Sequence, residues 1–473
     1  MSKALNFPRE HLTPLWRLWW AFFAYTTIVS LIVQLVLLPY VFPAWHAGHG
    51  LMVGQDSSYF HELAVNLAQK IHTQGWSAWE LRPQQQAPSG IAAVIYALTI
   101  PQPWTLIPLQ AALHATAGLL LLRIIQVFLP SWRVAIWCVL PFLLYPSAMS
   151  WYAQLLKDSY FVTGTFLFLY GWIALAQLKT WNCQWWRLVL PMLWMILGSV
   201  LVWLVRPFGV QLFQVVGVLL AIGFTGLFIK RGLQAQLPWR KAITGIVVVW
   251  AVLVLISPLN QGGGGLDVEL PSSAPVSQPE AAWYPSKWLP QFLESKLYSL
   301  SVTRDGFLTS SPEAKSNIDI QTQFQRAGDI IAYLPRATQV ALLAPFPNLW
   351  FGQGTMQTTT MMRRVSALEM TGVYLALLFL PYAIWHWRQR LEIWAILLFC
   401  ISLLLVFTLA VPNLGTLYRM RYCFLMTLVA LGVAGFLAVQ QQLRLRQKMR
   451  VSRNGTRQKI RPEHKRDKTQ VDT

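Results

Sequence analysis

Runs of roughly twenty apolar residues recur along the whole chain, and they restrict the fold more than any other feature. A helix of about 20 apolar residues crosses the hydrocarbon core of a bilayer, which is about 30 Å thick. Membrane β-strands would alternate apolar and polar residues, whereas these runs are apolar all round. Only 12% of the 473 residues are charged, compared with about 25% in soluble domains. The sequence therefore predicts an all-α, polytopic integral membrane protein.

Lysine and arginine are distributed unevenly between the loops, and this bias predicts the orientation of the helices. Basic residues favour the cytoplasmic side of a membrane. They precede the first apolar run, recur in short connectors and dominate the tail 441–473. We therefore expect both termini in the cytoplasm and an even number of spans. Ten spans satisfy these conditions, at about 16–42, 105–128, 134–148, 159–178, 188–205, 208–229, 242–257, 367–386, 392–411 and 421–440.

The basic tail, residues 441–473, carries much of the net charge of +20. We expect it to be disordered and to contact anionic membrane lipids. Binding of nucleic acid is not predicted, because no aromatic residues are interleaved with the basic ones and no recognisable binding module is present.

Two long segments are predicted to lie on the membrane face opposite the tail. The transmembrane core, residues 1–257, contains the first of them as an outer loop at 43–104. The second is a periplasmic loop at 258–366, which precedes the C-terminal transmembrane helices at 367–440. Its glycine- and proline-rich part, 260–280, predicts a flexible linker. The aromatic and amphipathic sequence that follows predicts a small helical cap.

Two apolar stretches remain outside the ten predicted spans. Residues 89–100 are bounded by prolines, and residues 337–351 are interrupted by Pro345 and Pro347. Both are short for a full crossing, so we expect interfacial or re-entrant helices at these positions.

Two aspartates are predicted to lie at the same membrane face. Asp56 follows the first span, and the apolar spacing of Tyr59 and Leu63 after it predicts an amphipathic helix lying on the membrane. An N-cap role is the alternative for Asp56. Asp158 lies at the outer mouth of the third and fourth spans, where an acid requires a partner. An ion pair with Lys157 is the alternative for Asp158.

This arrangement resembles the GT-C type glycosyltransferases, which include the protein mannosyltransferase and lipid A aminoarabinose transferase families. The shared pattern is an early aspartate in the first outer loop, an amphipathic helix, a proline turn and a second aspartate in the next outer loop, and it covers roughly residues 15–210. The chain departs from it at Asp56-Ser57, where many members carry two adjacent acids. It departs again at Ala87-Pro88-Ser89, where Pro-Pro-Leu is usual.

The C-terminal half is similar to envelope-polysaccharide membrane proteins of bacteria. The residues that carry this similarity are three short motifs, at 333–336, 344–347 and 413–421. The two resemblances together imply an inverting glycosyltransferase at the outer face of the bacterial cytoplasmic membrane. It would transfer a sugar from a polyprenyl-phosphate donor to a glycan or lipid acceptor, in cell-envelope or exopolysaccharide synthesis.

The chemistry of such a transfer suggests roles for the acidic and basic residues. Asp56 is the candidate general base for the acceptor hydroxyl. Asp158, with Asp56 as a second ligand, is the candidate site for a divalent metal, Mg²⁺ or Mn²⁺, that stabilises the departing phosphate. Basic side chains are the alternative phosphate ligands, because guanidinium groups donate paired hydrogen bonds; the candidates are Lys157, Arg206, Arg419 and Arg421.

The arginines also have a simpler interpretation, since cationic side chains at the ends of apolar helices extend to lipid headgroups. Beside Arg419, the turn 413–416 could offer backbone N–H groups to an anion. Two other functions stay open for the whole chain. One is a polysaccharide polymerase that uses polyprenyl-diphosphate-linked repeats. The other is a transporter or flippase for a lipid-linked glycan, although the chain has no obvious internal repeat and its charges lie at helix ends.

Overall fold

Helices make up the regular structure of the residues that the computed structural model describes, apart from two isolated β-bridges. The described residues are 15–54, 56–177, 186–234, 238–260, 283–310, 312–355 and 357–459. The helices of the first half are α1 (Leu15–Ile32, continued by a π-helical stretch Val33–Val41), α2 (Ser57–Gln74), α3 (Ala87–Leu98), α4 (Ile107–Gln126), α5 (Trp132–Leu143), α6 (Pro146–Tyr152), α7 (Asp158–Ala176), α8 (Trp186–Val205), α9 (Pro207–Leu233) and α10 (Trp239–Ile256). The helices of the second half are α11 (Gln291–Ser310), α12 (Ala327–Leu343), α13 (Gln357–Leu377), α14 (Leu380–Trp387), α15 (Leu391–Ala410), α16 (Leu414–Met420) and α17 (Tyr422–Lys459).

Eight helical segments in the described part of the chain are long and apolar enough to cross a membrane. They are Leu15–Val41, Pro103–Gln126, Asp158–Ala176, Pro207–Leu233, Ala242–Leu259, Gln357–Trp387, Leu391–Ala410 and Tyr422–Gln447. The protein is therefore a multi-pass helical membrane protein, as its composition predicts.

The predicted number of ten spans is not confirmed. The predicted span 134–148 corresponds to α5 and α6, which meet at an angle of 70°. Pro146, which begins α6, cannot donate a backbone hydrogen bond to the preceding turn. Counting this bent pair as one span raises the total to nine. The predicted span 188–205 corresponds to α8, a helix of 20 residues that is not among these nine.

The centre of the bundle is α7, which packs against α4, α8 and α15. Close contact between α7 and α8 depends on two glycines. A Cβ atom added at Gly198 would lie 2.5 Å from the carbonyl oxygen of Gly164, and one added at Gly164 would lie 2.7 Å from that of Gly198. Small residues permit this close backbone approach between membrane helices. The contact fixes the end of α8 relative to the beginning of α7.

The segments outside the spans contain helices joined by irregular loops in the described residues. In the first, α2 buries one face against α3, the short helix predicted at 89–100. In the second, α11 and α12 lie within the expected cap, and α12 ends at Leu343 before the prolines that interrupt the apolar stretch. The linker predicted at 260–280 lies outside the described residues, except for Asn260.

The two ends of the bundle differ in character. One end, here called the loop-rich end, carries the described residues 42–54, 56–102, 257–260, 283–310 and 312–355, and the other carries the described parts of the basic connectors. Two of these connectors touch, because the Arg390 side chain donates a hydrogen bond to the carbonyl oxygen of Val127. At this basic end α17 continues as a helix to Lys459, so residues 441–459 are helical where disorder was expected. Residues 460–473 lie outside the described part of the chain.

Candidate functional site

A buried ion cluster at the loop-rich end joins Asp158, Arg206 and Arg419. One carboxylate oxygen of Asp158 accepts a hydrogen bond of 3.3 Å from Arg206 Nη2, and the other accepts one of 2.7 Å from Arg419 Nη2. The Asp158 side chain is 5% exposed, whereas that of Arg419 is 21% exposed. Two positive charges therefore surround one negative charge, and the more accessible member of the cluster is an arginine.

Breaks between helices bring these three residues together. Asp158 begins α7 after the turn that follows α6. Arg206 separates α8 from α9, and its backbone is not helical (φ −146°, ψ 78°) because Pro207 follows it. Arg419 lies on the short helix α16, between α15 and α17. Each charged residue is thus held at the end of a membrane helix, beside the loops.

Asp56 lies next to this cluster with an exposed side chain. Although it occupies the position before α2, its carboxylate makes no capping hydrogen bond. Burial by itself lowers the pKa of Arg419, but the Asp158 carboxylate and, less strongly, the Asp56 carboxylate raise that pKa above its ordinary value. Asp56 and Asp158, predicted to share one face, therefore act on the same guanidinium group.

Gln154 fixes the loop that carries Asp56. Its side-chain oxygen accepts hydrogen bonds from the backbone N–H of Met52, at 2.9 Å, and from the hydroxyl of Ser57, at 3.3 Å. Its side-chain nitrogen donates to the carbonyl oxygen of Gly50. Because Gln154 lies four residues before Asp158, the same short connector positions both acids.

Lys157 and Arg421, also predicted to bind phosphate, have other contacts. The Lys157 ammonium group lies over the Phe60 ring, 5.6 Å from its centroid. Arg421 is fully buried and donates hydrogen bonds to the carbonyl oxygens of Val340, Ala341 and Ala344, at the C-terminal end of α12. These contacts do not favour phosphate binding by Arg421, which instead caps a helix.

The turn at 413–416 is also engaged by the protein itself. The side-chain oxygen of Asn413 accepts hydrogen bonds from the backbone N–H groups of Gly415 and Thr416, at 3.1 and 3.2 Å. These are the groups that an anion would have used, so the turn works as the N-terminal cap of α16.

A second buried acid, Glu369 on α13, was not identified from the sequence. Its carboxylate accepts hydrogen bonds from the Ser147 backbone N–H at 2.6 Å, the Ser147 hydroxyl at 2.8 Å and the Tyr418 hydroxyl at 2.7 Å. The hydroxyls of Tyr418 and Tyr145 are 2.5 Å apart. Since Tyr418 precedes Arg419, this network holds α16 against α6 and α13. An acid within an apolar span is itself a signal of a functional or structural network.

The residues around Asp158 do not fit the predicted divalent metal. Both carboxylate oxygens of Asp158 accept hydrogen bonds from guanidinium groups, and a bound cation would lie beside two positive charges. The described residues contain no group of three or more His, Cys, Asp or Glu side chains that could hold a metal ion. The arginines are therefore the better candidates for binding a phosphate.

Comparisons with family models, with curated proteins and with solved structures found no match to this chain. The assignment of a function therefore rests on the geometry of the site.

Two N–H groups of the cluster lack a hydrogen-bond acceptor. Nη1 of Arg206 and Nε of Arg419 are buried and make no hydrogen bond in the described structure. An unpaired buried donor is costly, and a guanidinium N–H forms a strong bond with an anionic oxygen. The cluster therefore has the capacity to accept a further anion such as a phosphate.

Proposed function

We propose that the protein is a membrane glycosyltransferase that transfers a sugar from a polyprenyl-phosphate donor to a glycan or lipid acceptor. The single observation that carries the proposal is the exposed Asp56 carboxylate, whose charge acts on the Arg419 guanidinium in a cluster with unpaired arginine donors. We assign the loop-rich end to the outer face of a bacterial cytoplasmic membrane, because the basic connectors lie at the opposite end.

In the proposed reaction the acceptor hydroxyl attacks the anomeric carbon of the sugar. A bond forms between the acceptor oxygen and that carbon, while the bond between the carbon and the phosphate oxygen breaks. The electron pair of the broken bond remains on the phosphate, and the hydroxyl proton passes to Asp56. Arg419 and Arg206 bind the phosphate, and the charge that develops on it strengthens their hydrogen bonds. Attack from the side opposite the phosphate inverts the anomeric configuration.

Asp158 has a positioning role in this mechanism. It balances one of the two guanidinium charges, which would otherwise repel each other, and it fixes both groups in orientation. A cluster of two arginines and one buried aspartate has a net positive charge, which suits an anionic phosphate. Asp56, being exposed, is the carboxylate that an acceptor from outside the membrane can reach.

The test uses the purified protein in liposomes, with polyprenyl-phosphate sugars as donors. The lipid and glycan extract of a strain lacking the protein supplies the acceptor. We expect Asp56→Asn to lower the transfer rate by about 10²–10⁴-fold, the usual contribution of a general base. Arg419→Lys should raise the KM for the donor, because lysine cannot reproduce the guanidinium geometry. Glu62→Gln is the control. It changes an exposed acid on α2, the helix that Asp56 precedes, and it should retain full activity.

Three outcomes would contradict the proposal. Undiminished transfer by Asp56→Asn would exclude Asp56 as the base. Movement of a lipid-linked glycan across the bilayer without transfer would indicate a flippase. A ladder of chain lengths made from diphosphate-linked repeats, with no use of monophosphate donors, would indicate a polymerase.

A further inference from the structure

The segment between α11 and α12 borders an open cavity of about 560 Å³ that none of the predicted site residues lines. One wall is formed by Lys315 and residues 317–322, and the other by Arg336, Phe346, Asn348 and Leu349. Leu414, the first residue of α16, completes the lining. Two of the short motifs singled out in the sequence, at 333–336 and 344–347, thus contribute to one cavity together with the start of the third.

An ion pair joins the two walls. Arg336 Nε and Nη2 donate to the two carboxylate oxygens of Asp319, at 3.0 and 3.2 Å, and the Tyr333 hydroxyl donates to one of them at 2.7 Å. The Arg336 guanidinium also lies over the Phe346 ring, 5.0 Å from its centroid. Burial by itself raises the pKa of Asp319, but the hydrogen bonds from Arg336 and Tyr333 outweigh it and hold that pKa below its ordinary value. These side chains therefore occupy defined positions around the cavity.

The backbone of the first wall is also fixed. Asp319 has a positive φ of 50°, which non-glycine residues adopt rarely. Arg304, which is 1% exposed, supports this turn from behind by donating to the carbonyl oxygens of Asp319 and Thr322, at 3.1 and 3.3 Å. A buried arginine that maintains an unfavourable backbone conformation indicates a loop whose shape is maintained for binding.

The cavity is connected to the helix that carries Arg419. The backbone N–H of Ile318 donates to the carbonyl oxygen of Pro412 at 3.0 Å, and that of Leu414 donates to the carbonyl oxygen of Ser316 at 2.9 Å. Arg419 follows Leu414 by five positions on α16, which corresponds to about 7.5 Å along a helix. A molecule bound in the cavity would therefore have one end close to the proposed phosphate site.

We infer that this cavity binds the acceptor glycan, an inference that rests on the proposed transfer function. Amide side chains at Gln321 and Asn348 and the Asp319 carboxylate supply donors and acceptors of the kind that sugar hydroxyls require. The Phe346 ring and Leu349 supply apolar surface, and binding sites for small molecules combine such surface with a few fixed polar groups. An acyl chain would not need the polar groups, and a site for phosphate alone would not include a carboxylate.

The test compares variants in the two exposed amide side chains with a control on the same loop. Gln321→Ala combined with Asn348→Ala removes polar groups from the cavity. Gln323→Ala removes an amide that is also exposed but does not line the cavity. All three side chains are exposed, so the variants should be expressed and folded normally. Binding is measured on full-length protein in nanodiscs by native mass spectrometry, with two probes tested separately.

The first probe is the delipidated glycan extract of a strain lacking the protein, and the second is polyprenyl phosphate. We expect the double variant to weaken glycan binding at least about tenfold, since each lost hydrogen bond contributes a few-fold, and to leave polyprenyl phosphate binding unchanged. Arg419→Lys should weaken polyprenyl phosphate binding and leave glycan binding unchanged, and Gln323→Ala should change neither.

Unchanged glycan binding by the double variant would overturn the acceptor site. Equal loss of both probes would also overturn it, because the cavity would then not distinguish acceptor from donor. Unchanged polyprenyl phosphate binding by Arg419→Lys would instead count against the proposed function.

Discussion

The carboxylate of Asp158 and the guanidinium of Arg419 are 261 positions apart in the sequence and 2.7 Å apart in the structure. The ion pair connects the beginning of the central helix α7 to the short helix α16. It also brings the N-terminal and C-terminal halves of the chain to a common point. Loss of either partner should therefore lower the stability of the bundle. It should also change the position of Arg206, which bonds to the same carboxylate.

Asp158→Asn should lower the free energy of unfolding by about 3–5 kcal/mol, because it leaves two buried guanidinium groups without their counter-charge. Thermal unfolding in detergent measures the change. Asp305→Asn, the same chemical change outside the cluster, should have a much smaller effect. Combining Asp158→Asn with Arg206→Met should recover part of the loss, and additive losses would show that the ion pairs are not coupled.

Gly198→Ala should destabilise the protein by about 1–3 kcal/mol, because the new methyl group would overlap the backbone of α7. The substitution should also separate Arg206, at the end of α8, from Asp158, so transfer activity should fall together with the melting temperature. Gly223→Ala is the matched control, since a Cβ atom there would meet no heavy atom within 4 Å. Equal tolerance of both substitutions would contradict the close packing of α7 and α8.

Tyr418→Phe should destabilise the protein by about 1–3 kcal/mol, because the buried Glu369 carboxylate loses one of its hydrogen-bond donors. The KM for the donor should rise as well, since Tyr418 precedes Arg419 and anchors its helix. Tyr382→Phe removes a buried hydroxyl that makes no hydrogen bond in the described structure, and it should be neutral in both assays. A change in stability without any change in KM would restrict Tyr418 to a structural role.

His61 should make the stability of the segment around α2 dependent on pH. Burial, together with the neighbouring His49, lowers the pKa of His61 from 6.5 to about 4. The unfolded chain therefore takes up a proton that the folded protein does not, and the free energy of unfolding should decrease as the pH falls from about 6.5 to about 4. The difference corresponds to about 3 kcal/mol.

Hydrogen exchange of α2 at several pH values measures this effect. His61→Gln should remove most of the pH dependence in this range, because the amide that replaces the imidazole next to the Tyr96 hydroxyl does not titrate. His72→Gln, at an exposed position of the same helix, should leave the dependence intact. A flat profile for the unmodified protein between these pH values would contradict the expected proton uptake.

The membrane character and the grouping of acids and arginines at one end could be predicted from the sequence. Apolar length determines which segments cross a bilayer, and the lysine and arginine bias sorts the loops into two sets. The same reasoning predicted one continuous span at 134–148, because it does not predict the bend between α5 and α6. It also predicted disorder after residue 440, although leucine, glutamine, lysine and arginine all favour helices.

The pairing of charges could not be predicted, since it depends on contacts between distant residues. Arg419 and Arg421 look equivalent in the sequence, but Arg419 lies on the short helix α16 and Arg421 lies just beyond its end. Arg419 reaches Asp158, whereas Arg421 reaches the end of α12. Glu369 was not predicted as a site residue, because its partners are a serine and a tyrosine and not a cation. Tertiary packing, rather than residue type, separates these cases.

The short helix α16 is attached to four different parts of the molecule. Asn413 bonds to the loop before α12, Tyr418 to Glu369 on α13, Arg419 to α7, and Arg421, just beyond the helix, to the end of α12. A movement of the loop before α12 should therefore be transmitted to this helix. The position of Arg419 against Asp158 depends on these contacts as well as on the ion pair itself.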